Sequence, residues 1–143
     1  MFAVKDGLYW AEKLRKKEIS FQELLTSFEE KARKQNAMLN AFVTIMDHDA
    51  REEFEKHTKL LNRPFAGLPI PLKMLGQEKK GWLSTSGSKL LREHRASRNS
   101  NFTNKLIENG FVPFAQTNTP EFGFKNITDA EIYGPARNPW NLD

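Results

Sequence analysis

Two prolines at alternate positions, Pro69 and Pro71, interrupt the apolar run Gly67-Leu68-Pro69-Ile70-Pro71-Leu72-Lys73. Proline lacks the amide proton that a helix interior or a central strand requires, so residues 66–72 are restricted to an extended segment at a sheet edge or in an irregular strand. The run ends on its only ionisable group, Lys73. From the residues alone Lys73 has two accounts. One is a strand-end lysine snorkelling to water; the other is a partly buried lysine kept neutral by desolvation and so able to act as a base. The segment by itself leaves both open.

Around this run the hydrophobic periodicity alternates between helix and strand. Val4, Leu8, Ala11 and Leu14 recur at spacings of four and three, the stripe of an amphipathic helix. Ser20 and Glu23 make a capping-box pattern, and Phe21, Leu24, Leu25, Phe28 and Ala32 mark the buried face of a second helix that runs to Gln35-Asn36. Residues 1–37 are thus expected to form an antiparallel helical pair. Residues 41–46 read as a buried strand. A third helix follows, capped by Asp47 or Asp49, with Glu52 and Glu53 favouring its positive end and Ala50, Phe54 and Leu61 at helical spacing; Pro64 lies past its end. Residues 76–101 are mostly loop, with a short helical piece near residues 88–93. Residues 101–109 predict a helix closed by Gly110 in a left-handed cap, and residues 111–115 a strand despite Pro113. This alternation argues an α/β layer arrangement.

Composition excludes several classes of function. With 143 residues, 38% apolar and 28% charged, the chain is long enough for one globular domain. The net charge is +4, but basic residues interleave with glutamates, and only Arg15-Lys16-Lys17 and Lys79-Lys80 cluster. That pattern argues against a nucleic-acid partner. The absence of cysteine rules out disulfides, thiolate nucleophiles and Cys-ligated metals. His48, His57 and His94 share no metal-ligand spacing, and no Gly-rich phosphate loop is present, so neither metal nor cofactor is expected. The pairs Glu29-Glu30 and Glu52-Glu53 point about 100° apart on a helix and read as solvated faces. Ser86-Gly87-Ser88-Lys89 matches an S-x-x-K pattern, yet the companion S-D-N and K-T-G elements are absent. No secretory signal or membrane-length apolar stretch is found, which predicts a cytoplasmic protein without a membrane partner and leaves the triplets at Asn101 and Asn126 without meaning.

Four segments occur in an order and spacing that resembles the amidase signature family. They are Gly67-Leu68-Pro69-Ile70-Pro71-Leu72-Lys73, Ser84-Thr85-Ser86-Gly87-Ser88, Gln116-Thr117-Asn118-Thr119-Pro120-Glu121-Phe122 and Tyr133-Gly134-Pro135-Ala136-Arg137-Asn138-Pro139-Trp140. Leu39-Asn40-Ala41-Phe42-Val43, ahead of them, looks like the family's N-terminal strand. The resemblance implies an α/β fold with helices packed on a mixed β-sheet, and hydrolysis or transfer at an amide C–N bond of a small-molecule substrate. It implies a nucleophilic serine, a bridging serine in a cis peptide, and a lysine that corresponds to Lys73. Both serines belong to a Gly/Ser-rich stretch after the Asn-Pro-Trp element. Residues 1–143 are therefore expected to be the N-terminal portion of a single amidase domain, truncated before that stretch and inactive alone.

The chain departs from the family pattern at two places. Met74 and Leu75 follow the lysine where aspartate and often asparagine are common, and Ala115-Gln116 replaces Gly-Lys before Thr117-Asn118. The first departure removes a carboxylate that would tune Lys73 and makes its surroundings drier. Ser86, Thr117 and Asn118 are candidate substrate-side groups, with loop capping as the alternative for each. Two further expectations stand beside an amide hydrolase: the amidase subunit of a glutamine-dependent tRNA amidotransferase, and a non-catalytic interaction module.

Overall fold

The computed structural model describes residues 5–57 and 59–142. Four helices and three strands follow in the order α1 (Gly7–Arg15), α2 (Phe21–Leu39), β1 (Phe42–Ile45), α3 (Asp47–Lys56), β2 (Pro69–Lys73), α4 (Asn101–Glu108) and β3 (Val112–Thr117), with short 3-10 turns at Leu60–Asn62, Lys89–Leu91 and Glu121–Gly123. The α/β alternation expected from periodicity is observed. Among the described residues no helix is long and apolar enough to cross a membrane.

Helix α1 starts where Asp6 accepts the Tyr9 N–H at 2.8 Å. It buries Trp10, Ala11 and Leu14, while Leu8, expected on the buried stripe, is 65% exposed. Trp10 takes the inward position instead, and Val4 lies outside the described residues. The capping box of α2 forms as its spacing implies: Glu23 N–H donates to Ser20 Oγ at 3.2 Å and Ser20 N–H to Glu23 Oε2 at 2.9 Å. Two otherwise orphaned donors are satisfied there, a contribution of about 1 kcal/mol. Leu24 and Leu25 are fully buried, each burial contributing roughly 2 kcal/mol.

Helix α2 does not stop at Gln35-Asn36 but continues to Leu39. The Asn36 carboxamide does not break it, because it exchanges two hydrogen bonds with the Phe42 backbone, at 2.7 and 2.8 Å, and so ties the helix to β1. Strand β1 is half-buried rather than buried, since among the described residues it has a sheet neighbour on one side only. The N-cap of α3 is Met46 and makes no side-chain cap bond; Asp47 and Asp49, expected as caps, lie inside the first turn, where the helix dipole still favours them. The helix ends at Lys56, which leaves Leu61 to the following 3-10 turn.

The sheet order is β1-β3-β2, with β1 antiparallel and β2 parallel to β3. Among the described residues β2 is an edge strand with an irregular register at Ile70/Pro71, both of which its prolines tolerate. Pro113 is tolerated in central β3 because the ladder is irregular beside it: Ile70 pairs with Pro113 and Pro71 with Ala115, so β3 bulges by one residue. On its other side the ladder with β1 reaches only to Ala115. Gly110, at φ +97, closes α4 as its position suggests. Side chains of α1, α2, α3 and β3 meet in one core with Leu60, Ala66 and Leu68; Phe21 stacks on Phe54 at 4.1 Å and Phe65 on Phe111 at 4.0 Å.

Candidate active site

Strands β2 and β3 run parallel, so both present their carboxyl ends at one edge of the sheet, the place where α/β folds form ligand crevices. Lys73 is the last residue of β2 and its ladder partner is Thr117, the last of β3. The Lys73 N–H donates to Gln77 Oε1 at 2.7 Å and the Met74 N–H to the Thr117 carbonyl at 3.1 Å, which fixes the chain where the lysine leaves the sheet. The Lys73 side chain is exposed among the described residues, so the partial burial that one reading of the sequence required is not provided by them.

The Ser84–Ser88 segment reaches this edge through the chain that follows β3. Phe122 N–H donates to the Ser86 carbonyl at 2.8 Å, and Gly87 packs so closely that a Cβ there would lie 3.0 Å from the Thr119 carbonyl oxygen. Ser86 and Phe122 both have φ of 49°, a left-handed conformation uncommon for non-glycine residues. Thr85, fully buried, accepts the Gly87 N–H on its hydroxyl at 3.2 Å and thereby braces the turn.

Of the four residues singled out in the sequence, Lys73 and Thr117 are thus adjacent across the ladder, and Ser86 is joined to the segment that leaves Thr117. Thr117 and Ser86 are half-buried. Asn118 is different: it is 7% exposed, and its carboxamide donates to the carbonyls of Asn40 at 3.3 Å and Gly134 at 3.0 Å while accepting the Thr119 N–H at 2.8 Å. Every polar atom of that side chain is engaged with the backbone. Thr85, Tyr133 and Asn40 were missed as site-supporting residues. Only Asn40 carried a local signal, an asparagine directly after a helical stretch.

Behind Lys73, Met74 is 3% exposed and Gln116 2% exposed. The Gln116 carboxamide donates to the Leu83 carbonyl at 2.8 Å and to Met74 Sδ at 3.3 Å, and accepts from the Thr44 hydroxyl at 3.2 Å. The two departures from the family pattern are therefore neighbours in a neutral, hydrogen-bonded interior.

The chain is similar to known proteins along most of its length. The chain is 38% identical over 128 residues to a lipoamidase of Enterococcus faecalis, covering 90% of this chain and 18% of that protein. It is 37% identical over 140 residues to the 6-aminohexanoate-cyclic-dimer hydrolase of Paenarthrobacter ureafaciens, covering 96% of this chain and 28% of that protein. A solved structure of 6-aminohexanoate cyclic dimer hydrolase complexed with substrate superimposes with a TM-score of 0.88 at 36% identity, again over 96% of this chain and 28% of that one. The chain spans less than a third of the length of these relatives. The model of the family described as Amidase matches residues 23–143, and the chain belongs to the amidase signature family.

Proposed function

We propose that the whole protein hydrolyses an amide C–N bond of a small-molecule substrate, with Lys73 as the general base of a Ser-Ser-Lys site. The observation that carries this reading is the pairing of Lys73 with Thr117 at the carboxyl ends of two parallel strands, beside a strained Ser86 turn. A serine hydroxyl attacks poorly at neutral pH and needs a base, and a lysine serves only as the neutral amine. In this reading a bridging serine passes the nucleophile's proton to Lys73 as the serine oxygen adds to the amide carbonyl. Collapse of the tetrahedral intermediate breaks the C–N bond, the departing amine takes that proton back, and water then hydrolyses the acyl-serine. Ser86 and Thr117 face the amide, whereas Asn118, with its carboxamide fully engaged, acts on the loop.

Lys73→Ala in the whole protein tests the assignment. Amide hydrolysis is expected to fall about 100-fold to 10,000-fold with the fold intact, the usual range for removal of a general base. Activity near that of the parent would remove Lys73 from the mechanism.

A further inference from the structure

We infer that Asn40 and Asn118 form a positioning clamp that holds residues 133–137 against the carboxyl end of the sheet, so that the Tyr133 hydroxyl braces the Ser86 turn at the Lys73 end. This rests on the reading of Lys73 as the base and names residues that act through others rather than on the amide.

Three successive backbone carbonyls are each captured by an asparagine side chain. Asn40 Nδ2 donates to Tyr133 O at 2.8 Å and to Pro135 O at 3.1 Å, and Asn118 Nδ2 donates to Gly134 O at 3.0 Å. The second donor of Asn118 goes to the carbonyl of Asn40 itself, which links the two clamps. Backbone bonds complete the attachment: Arg137 N–H to Leu39 O at 2.8 Å and Asn118 N–H to Ala41 O at 2.8 Å. A segment with neither helix nor strand is thus fastened to the junction of α2 and β1 and to the end of β3.

The chemistry requires asparagine. Every one of these side-chain bonds uses Nδ2 as donor, and an aspartate would set a carboxylate against the same carbonyl oxygens. Asn40 also occupies the left-handed C-cap of α2, at φ 49° and ψ 38°, which asparagine adopts at low cost.

The clamp reaches the site through one hydroxyl pair. Tyr133 OH lies 2.8 Å from Thr85 Oγ1, the same oxygen that accepts the Gly87 N–H. Ser86, between them, is left-handed. Such a conformation persists only where surrounding contacts over-determine it.

The test uses the whole protein and two variants that leave the core untouched. Asn40→Gly keeps the left-handed cap and deletes both donors; Tyr133→Phe deletes one hydroxyl. Well below the melting temperature each is expected to lower kcat by about tenfold to a hundredfold, the scale of a misplaced reacting group, with KM changed by less than about twofold. The double variant should be no worse than the poorer single, and amide exchange at Gly87 should quicken in both. Unchanged kcat in the folded variants, with only the melting temperature lowered, would overturn the clamp's positioning role. Lys73→Ala measured in parallel separates the two ideas: an inactive Lys73→Ala beside fully active Asn40→Gly and Tyr133→Phe sinks the clamp alone. An active Lys73→Ala sinks the base assignment and leaves the clamp to its own kcat result.

Discussion

Gln116 Nε2 donates to Met74 Sδ at 3.3 Å, so the position after Lys73 and the position before Thr117 are in direct contact beneath the sheet edge. The pattern that the chain resembles commonly has aspartate at the first and has lysine at the second, residues of opposite charge. Here neither charge is present, and a thioether and a carboxamide meet in a buried space. Isolated charges in such a place are costly, whereas a matched pair offsets part of its own desolvation. Met74→Asp alone is expected to destabilise the protein by about 2–5 kcal/mol, and Gln116→Lys alone to be destabilising as well. The double substitution should recover about 1–3 kcal/mol relative to the sum of the singles. Urea unfolding of the four proteins gives this coupling directly; strictly additive costs would mean that the two sites are independent.

The start of α2 offers a cleaner test of local structure. Ser20→Ala removes the acceptor of the Glu23 N–H and also the hydroxyl that donates to the Glu23 carboxylate at 2.7 Å. A loss of about 1 kcal/mol is expected at neutral pH. Glu23 is held below the usual carboxylate range by the Ser20 hydroxyl and then by the Ser20 N–H. In Ser20→Ala that depression should shrink, which NMR titration of the Glu23 side chain would register. An unaltered Glu23 titration would mean that the serine hydroxyl is not its partner.

Much of this was readable from spacing because the controlling interactions are local. The capping box needs only residues three apart, Pro69 and Pro71 restrict the backbone wherever they stand, and Gly110 supplies the positive φ that α4 needs to stop. The errors share one cause. Leu8 has the right period but Trp10 takes the core, Asn36 looks like a helix breaker but bonds to Phe42, and Asp49 looks like a cap but accepts the Trp82 indole N–H at 2.6 Å. In each case a tertiary contact outweighed the local pattern, whether the partner lay six residues away, as for Asn36, or 33, as for Asp49. For the site, the C-terminal position of Lys73 on an edge strand was legible, while its facing Thr117 depended on the sheet register. The Thr85–Tyr133 pair joins residues 48 positions apart and left no local signal.

Gly87 shows how tightly the Ser86 turn is seated. It has φ +72, and a Cβ would lie 3.0 Å from the Thr119 carbonyl oxygen and 3.2 Å from Glu121 backbone atoms, neither of which can move as a side chain end does. Gly87→Ala therefore combines left-handed strain with a backbone clash and is expected to cost about 2 kcal/mol or more. The Phe122 N–H to Ser86 bond should open first, seen as faster exchange of the Phe122 amide than of amides in α2. Gly76→Ala, where φ is +72 but a Cβ meets nothing within 4 Å, is the control for strain alone. Equal costs for the two substitutions would show that the close approach at Gly87 contributes nothing.

Glu53 is expected to make the stability of the loop after β2 depend on pH. Its carboxylate accepts Lys79 Nζ at 2.9 Å on one oxygen and pairs with His57 Nε2 at 2.9 Å on the other, and the Glu53 and Lys79 side chains are only 19% and 13% exposed. One helical turn earlier on α3, Asp49 holds Trp82, and Lys79 lies 5.6 Å over the Trp82 ring, so two carboxylates fasten the loop. Burial, the largest single influence, pushes the Glu53 carboxyl up, but the Lys79 hydrogen bond and charge, with His57, together outweigh it and leave the group below the ordinary value of 4.5. A folded value below the unfolded one means that the unfolded chain binds the proton more readily. The stabilisation is therefore complete above the ordinary glutamate value and is lost as pH falls through the lower, folded one. Glu53→Gln leaves Lys79 without its counter-charge and should cost about 1–3 kcal/mol at pH 7, discounted from a fully buried pair because both groups keep some contact with water. The gap in melting temperature between parent and Glu53→Gln should be fully open above the glutamate range and close as pH drops through and below it. Glu12 and Glu52, also held low by lysines, are present in both proteins and contribute acid sensitivity common to the two. A gap that stays constant down to pH 3 would show that Lys79 and His57 do not depend on the Glu53 charge.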